Sequence, residues 1–494
     1  MPKFPTGESA RMTTALLLGA LAVTGFAPFY FYPSTIAAMA GLCHLWHRAP
    51  TARAAAWLGL SFGLGLFGAG IYWIYISLHI FGGMPPPGAA FATFCLCLFM
   101  ALFPGLVGWL AKRSGVLLIA APLLWALSEW VRSWIFTGFP WLTVGYTQVP
   151  HGPFAGFAPV VGIYGVSLVT VLFAALVAAL ATHWPHKPMR RSLLLSLILL
   201  WVSGSLLKHI EWSQPTGAPI SIALLQGNIT QDLKWQEDEL QRTMDKYLAM
   251  VEDTKAKLVI LPETALPVLA QDIPGDYLLA LQRRAKANQG DLLLGAVEFE
   301  HGRFYNSMLS LGVSPMQAYR KSHLVPFGEF IPLKGVFGWI YRDWLNIPLT
   351  DLSRGGFDQK PLTLAGQKVA INICYEDVFG EEIIRQLPQA TLLVNTSNDA
   401  WYGESLAAYQ HMQMSQARAL ETGRMMLRAT NTGATAIIDR HGEILAHVPH
   451  FSTQTLEGEA QGYTGSTPYV RLGNWPFILF SLAMLALLWG RKKK

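Results

Sequence analysis

Apolar residues follow two regimes along this chain. Up to about residue 208 they form long runs broken by short polar stretches; from 211 to 471 they form short runs set among charged and polar segments. A helix that crosses a hydrocarbon core about 30 Å thick needs roughly 20 apolar residues. By that criterion about eight segments read as spans: 13–31, 34–46, 54–78, 89–110, 116–136, 161–180, 193–207 and 476–489. The second and the last two are short, so they tilt little or draw on flanking residues. Gly59, Gly63, Gly68 and Gly70 in the third run suit close helix packing.

The segment between the seventh and eighth runs alternates β-rich and helical patterns. Strands are expected at 220–226, 257–262, 291–297, 306–311, 368–374, 391–396, 426–430 and 435–438, and helices at 236–254, 276–288, 381–385 and 406–422. Near-continuous apolar strands such as Leu258-Val259-Ile260-Leu261 predict a sheet covered on both faces. That implies a layered α/β domain. The expected organisation is a membrane domain over 1–210, a soluble domain over 211–472, and a last span with a basic tail over 473–494. There is no internal repeat and no Gly-rich phosphate loop of the usual spacing.

Charge orients the spans. Basic clusters fall at 47–53, at Lys112-Arg113, at 183–191 and at 491–494, whereas the alternate loops 80–88 and 137–160 carry no Lys or Arg. Positive clusters mark the cytoplasmic side. All of them fall on one face only if both termini are cytoplasmic, which places 211–471 outside the membrane. Lys3 and Arg11 give the first run a basic start, but no clear small-x-small cleavage site follows, so it reads as a retained span. The net charge of +6 is spread over these flanks, with no basic block in the soluble segment, so nucleic acid is not an expected partner. Glu129 and Arg132 lie three apart in the fifth run and share a helix face, as an internal ion pair or as groups near a lipid head or substrate entrance.

Cys43, Cys95 and Cys97 lie in apolar runs, so Cys374 is the one cysteine of the soluble segment and has no disulfide partner there. A lone thiol in such a domain is a candidate reactive group. The thirteen histidines lack metal-ligand spacing, and His411 on an expected helix reads as packing or hydrogen bonding.

Three groups recur at strand ends: Glu263 after 258–262, Lys321 after Tyr319-Arg320, and Cys374 after Val369-Ala370-Ile371-Asn372-Ile373. Strand ends are where sites assemble in layered α/β folds. A thiol needs a neighbouring base to become a strong nucleophile. A carboxylate does this and later returns the proton. An ammonium with a backbone N–H stabilises the oxyanion formed on attack at a carbonyl. Taken singly, Glu263 also reads as a surface turn, Lys321 as a solvated cation and Cys374 as core; composition and spacing do not link them.

The segments Leu261-Pro262-Glu263-Thr264-Ala265-Leu266-Pro267, 321–332 and Ile373-Cys374-Tyr375-Glu376-Asp377 resemble the three signature blocks of the nitrilase superfamily, and more narrowly the apolipoprotein N-acyltransferase family. Asn395-Thr396-Ser397-Asn398-Asp399-Ala400-Trp401-Tyr402-Gly403 and Arg428-Ala429-Thr430-Asn431-Thr432-Gly433 fit that family too, as do Glu129, Arg132 and Gly138-Phe139-Pro140-Trp141. Ala408 stands where the family often has Pro.

The resemblance implies an αββα sandwich inserted before the last of eight spans. It implies Glu263 as general base, Lys321 as charge stabiliser and Cys374 as nucleophile, with the N–H after Cys374 completing the oxyanion site. Glu329 and Glu376 match supporting acids, Trp235 matches an entrance-loop residue, and Tyr375 and Asn306 are further carry-overs that read equally as packing. Expected partners are a phospholipid donor, typically phosphatidylethanolamine, a diacylated lipoprotein acceptor and the bacterial inner membrane. The soluble domain is expected to be periplasmic, and no metal or organic cofactor is expected. Two rival readings use the same residues differently: a membrane-tethered amidase acting on a small amide, and a transporter or scaffold carrying an inactive domain.

Overall fold

A computed structural model describes residues 7–231, 234, 237–332, 335 and 351–491. The chain divides into two compact units: Met1–Tyr75, Pro87–Glu211 and Arg471–Lys494 form the first, and Ile76–Pro86 with Trp212–Val470 form the second.

The first unit is helical: α1 (Glu8–Ala22), α2 (Tyr32–Arg48), α3 (Ala52–Gly70), a short α4 (Trp73–Ile76) at the unit boundary, α5 (Pro86–Ser114), α6 (Leu117–Arg132), α7 (Ala158–His183), α8 (Lys187–Leu207), and a last helix, Trp475–Arg491. Among the described residues, four helices are long and apolar enough to cross a membrane: Ala52–Gly70, Pro86–Ser114, Ala155–His183 and Lys187–Leu207. Helices α1, α2 and α6 number 15, 17 and 16 residues, short of that length.

Gly59 and Gly63 set the approach of α3 to α5: a Cβ on them would lie 2.2 Å from the Pro104 carbonyl oxygen and 2.6 Å from the Ala101 Cα. Small residues let helix backbones pack this closely. Gly68 has open space instead. Glu129 and Arg132 both tie α6 to the segment after it. Glu129 accepts the Trp125 indole N–H and the Val144 amide, each at 2.8 Å. Arg132 donates to the Trp141 carbonyl at 2.5 Å and to the Thr143 hydroxyl at 3.3 Å.

The second unit holds two six-stranded sheets. Strands β1 (Ser213–Gln226), β2 (Leu258–Ile260), β3 (Asp291–Glu300), β4 (Arg303–Gly312), β5 (Ala318–Arg320) and β12 (Gln454–Gly465) run in the order β12-β1-β2-β3-β4-β5. Strands β6 (Leu362–Leu364), β7 (Gln367–Ile373), β8 (Leu392–Ser397), β9 (Met426–Thr430), β10 (Ala436–Ile438) and β11 (Ile444–His447) run β11-β10-β9-β8-β7-β6. Each sheet has a parallel centre, β1-β2-β3 in one and β7-β8-β9 in the other, flanked by antiparallel neighbours.

Side-chain alternation along the central strands creates the layers, because successive residues point to opposite faces. Ile222, Leu224, Ile260, Ile371, Ile373 and Val394 share one core between the sheets. Their neighbours Ala223, Leu225 and Val259 pack instead with Met244 and Tyr247 of α9 (Glu237–Asp253) and Leu281 of α10 (Gly275–Ala287). Ala370 and Leu393 pack with Ile383 of α11 (Gly380–Ile383) and Met412 and Ala419 of α12 (Ala407–Thr422). The result is the α-β-β-α layering the resemblance implied, with both sheets buried on two faces. Truncating a shared core residue such as Ile371 to Ala would cost about 2–5 kcal/mol.

Candidate active site

Chain direction brings the chemistry together at one end of the sandwich. Glu263 follows β2, Lys321 follows β5 directly, Cys374 follows β7 directly and Asn398 follows β8 directly. The first two belong to one sheet and the last two to the other, so the site lies where carboxyl ends of both sheets meet.

Cys374 opens a 3₁₀ turn, Cys374–Val378, with φ of +53°. A non-glycine residue pays about 1–3 kcal/mol in this left-handed region and keeps it only where surrounding contacts dictate it. Those contacts are present. The Glu376 carboxylate accepts the Ile373 amide at 2.6 Å on one oxygen, and the Ser322 and His323 amides at 2.5 and 3.1 Å on the other. The Tyr319 hydroxyl reaches both oxygens, at 3.0 and 3.1 Å. Glu376 thus binds the Lys321 loop to the Cys374 turn. The Cys374 carbonyl oxygen lies 3.2 Å from Asn395 Nδ2 and 3.1 Å from His411 Nε2.

Glu263 is held at both oxygens. Oε1 accepts from Asn306 Nδ2 at 2.7 Å and from Lys321 Nζ at 3.1 Å, and Oε2 accepts the Asn398 amide at 2.9 Å. Lys321 also donates to Glu329 at 2.9 Å, and Asn306 reaches the same Glu329 oxygen at 3.1 Å. A second lysine, Lys234, is buried here and donates to the Glu263 carbonyl oxygen at 3.4 Å.

The electrostatics separate the roles. Burial opposes ionisation of Glu263, but Lys321, the Asn306 hydrogen bond and Lys234 outweigh it and hold the carboxyl below its ordinary range. Burial, then the Glu263 charge, push the Cys374 thiol well above its usual value, against the pull of Lys321 and a hydrogen bond with Ser397. Burial disfavours the Lys321 ammonium, yet Glu263 and Glu329 hold its pKa well above normal. Burial lowers Lys234 to about 8 despite Glu263 and Cys374. Burial also raises Glu376 to about 7, against the backbone amides it accepts. The resting state is therefore a neutral thiol beside a carboxylate paired with an ammonium. Such a set is suited to proton transfer coupled to nucleophilic attack, with a cation fixed where negative charge develops. Among the described residues no cluster of His, Cys, Asp or Glu is disposed to hold a metal ion.

Glu263, Lys321, Cys374, Glu329, Glu376 and Asn306 thus converge. Tyr375 lies in an aromatic group, edge-on to Phe379 and His323 at ring separations of 5.1 and 5.8 Å. Trp235 lies outside the described residues. Sequence reading gave no individual role to Lys234, Asn398, Ser397 or Tyr319. Asn398 and Ser397 sit in a block the resemblance had matched, but the Asn398 contact is a backbone amide, which side-chain type does not reveal. Lys234 left no signal beyond its place beside Trp235.

Two family models match the sequence: the apolipoprotein N-acyltransferase N-terminal domain over residues 18–176 and the carbon-nitrogen hydrolase over residues 221–469. An apolipoprotein N-acyltransferase from Nitrosomonas europaea is 52% identical over 489 residues, covering 97% of this chain and 97% of its own. One from Chromobacterium violaceum is 46% identical, covering 100% of this chain and 97% of its own. Among solved structures, a CN-hydrolase superfamily protein from Xanthomonas campestris is 18% identical, covering 53% of this chain and 97% of its own, with a TM-score of 0.37.

Proposed function

The chain belongs to the apolipoprotein N-acyltransferase family, and from that premise we propose that it moves an acyl chain from a phospholipid to the amino terminus of a diacylglyceryl-cysteine lipoprotein through a thioester on Cys374. The observation that carries this reading is the buried Glu263–Lys321 pair, 3.1 Å apart, beside a cysteine in a left-handed backbone conformation.

In the first half-reaction Glu263 takes the thiol proton as the sulfur attacks the ester carbonyl carbon of the donor. The carbonyl oxygen becomes an oxyanion, stabilised by the Lys321 ammonium and the Tyr375 amide. When the tetrahedral centre collapses, the C–O bond breaks, the departing glycerol oxygen takes the proton from Glu263, and a lysophospholipid leaves. In the second half the lipoprotein's free amine attacks the thioester carbon. Its proton passes to Glu263, the C–S bond breaks, and the proton returns to the sulfur. The product is an amide and the enzyme is restored. Glu263 carries the proton in every step. The lowered Glu263 and raised Cys374 make thiolate scarce at rest, so deprotonation accompanies attack and the thiol is protected between turnovers.

The membrane arrangement we assign is eight spans, with the short apolar helices crossing beside the four long ones, and the catalytic unit on the periplasmic face of the inner membrane. The alternation of basic and uncharged loops supports it. Phosphatidylethanolamine is the donor assigned.

Purified enzyme given phosphatidylethanolamine and a diacylated lipopeptide should yield triacylated lipopeptide and lysophosphatidylethanolamine in equal amounts. Free fatty acid with unchanged lipopeptide would instead mark water as the acceptor and favour a hydrolase.

A further inference from the structure

Behind the nucleophile lies a set of buried charges. His411 on α12 and Arg428 on β9 face Asp377 and Asp399. His411 Nε2 lies 2.8 Å from Asp377 Oδ1 and Nδ1 lies 3.1 Å from Asp399 Oδ1. Arg428 reaches Asp377 Oδ2 at 3.0 Å and Asp399 Oδ2 at 2.9 Å. It also lies 2.8 Å from His411 Nδ1. None of the four side chains is more than 1% exposed.

Two carboxylates and one guanidinium leave one negative charge uncompensated, and an imidazolium cancels it. An unpaired buried charge costs several kcal/mol, so neutrality of the set favours protonated His411. Burial and Arg428 act against that state, but Asp377 and Asp399 outweigh them and bring His411 to about 9. Nε2 is a donor in the imidazolium and equally in the neutral tautomer that carries its hydrogen there, in which Nδ1 accepts from Arg428.

The cluster meets the reacting strand at the Cys374 carbonyl oxygen. His411 Nε2 lies 3.1 Å from it. The other donor to it, Asn395 Nδ2 at 3.2 Å, is oriented by the same cluster, because Arg428 donates to Asn395 Oδ1 at 2.6 Å. The peptide joining Cys374 to Tyr375 is not among the cis bonds of the chain. In a planar trans peptide the C=O and N–H point in opposite directions. Two donors clamped on the oxygen therefore aim the hydrogen on the other side.

We propose that His411 is a positioning residue, which through the Cys374 carbonyl aims the Tyr375 amide at the oxyanion formed on the acyl donor. The inference rests on the thioester reading above. It gives the buried cluster a purpose beyond cohesion, since apolar residues of similar volume often replace buried ion pairs without loss of stability.

The test compares two reagents on one sulfur. A p-nitrophenyl ester acylates Cys374 through an oxyanion. Iodoacetamide alkylates it by displacement at a saturated carbon and builds no such charge. In His411→Gln, acylation should slow about 10- to 100-fold while alkylation stays within about twofold, since a misplaced oxyanion donor affects only the first reaction. Asn395→Ala should split the two rates in the same sense, and it takes over the comparison if His411→Gln does not fold. Equal slowing of both reactions, or slowing of neither, overturns the proposal in either variant. If the unmutated enzyme is not acylated, the thioester reading fails and this inference with it; if it is acylated but the variants show no split, only this inference fails.

Discussion

Lys321 Nζ stands 3.1 Å from Glu263 Oε1, with the two side chains only 1% and 8% exposed. Glu329 approaches the same ammonium at 2.9 Å, so Lys321 sits between two carboxylates. Removing Lys321 would strand both. Lys321→Met should therefore lose stability by about 3–5 kcal/mol, the cost of breaking a buried pair, as well as activity. Thermal unfolding of the purified variant in detergent measures the loss, and an unchanged melting temperature would show that the pair does not contribute to stability.

Glu263→Gln keeps the shape of the side chain but removes the proton acceptor we assign. Acyl transfer to Cys374 should slow about 10²- to 10⁴-fold, the range for a lost general base. Lipid binding should be preserved. Single-turnover acylation followed by intact mass spectrometry measures the rate directly.

Lys234 is one of the positive groups that hold Glu263 ionised. Lys234→Met should let the Glu263 pKa rise, so the acid limb of the pH–rate profile for acylation moves to higher pH. The lysine is buried against the Glu263 carbonyl oxygen, with Nζ at 3.4 Å. A profile that falls uniformly without moving would assign Lys234 to packing alone.

His411 gives the catalytic unit a pH-dependent stability. Its folded pKa of about 9 lies above the ordinary 6.5. A group whose pKa rises on folding stabilises fully below its unfolded value and loses that contribution as pH climbs through its folded value. Stability from His411 should thus be complete below about 6.5 and fade towards 9. His411→Gln should flatten this part of the profile, measured by denaturant unfolding across that range.

A tag placed after Lys494 should be shielded from external reagents in intact spheroplasts and labelled only once the membrane is opened. Labelling in intact spheroplasts would reverse the assigned orientation.

Where a strand carries strong apolar character, hydropathy alone located it. The central strands β1 to β4 and β7 to β10 all overlap expected ones, because burial on two faces demands runs such as Leu258-Val259-Ile260. Strands β5, β6, β11 and β12 gave no such signal. The first two are three residues long, and β12 is a sheet edge rich in Gly, Gln, Glu and Thr whose pairing comes from backbone bonds to β1. The candidate site divides in the same way. Glu263, Lys321 and Cys374 stood out by residue type at strand ends and by their sequence blocks. The Asn398 amide and the four-charge cluster around His411 depend on residues far apart in sequence, and a lone Asp, His or Arg carries no mark of burial.

The mechanism requires that one acyl group rest on one sulfur between the two half-reactions. Intact mass measurement of the purified enzyme after incubation with phosphatidylethanolamine alone looks for that group itself. The enzyme should gain a single acyl mass that maps to Cys374, is absent from Cys374→Ala, and disappears when a diacylated lipopeptide is added. An unmutated enzyme that gains no mass while still producing triacylated lipopeptide would rule the thioester out.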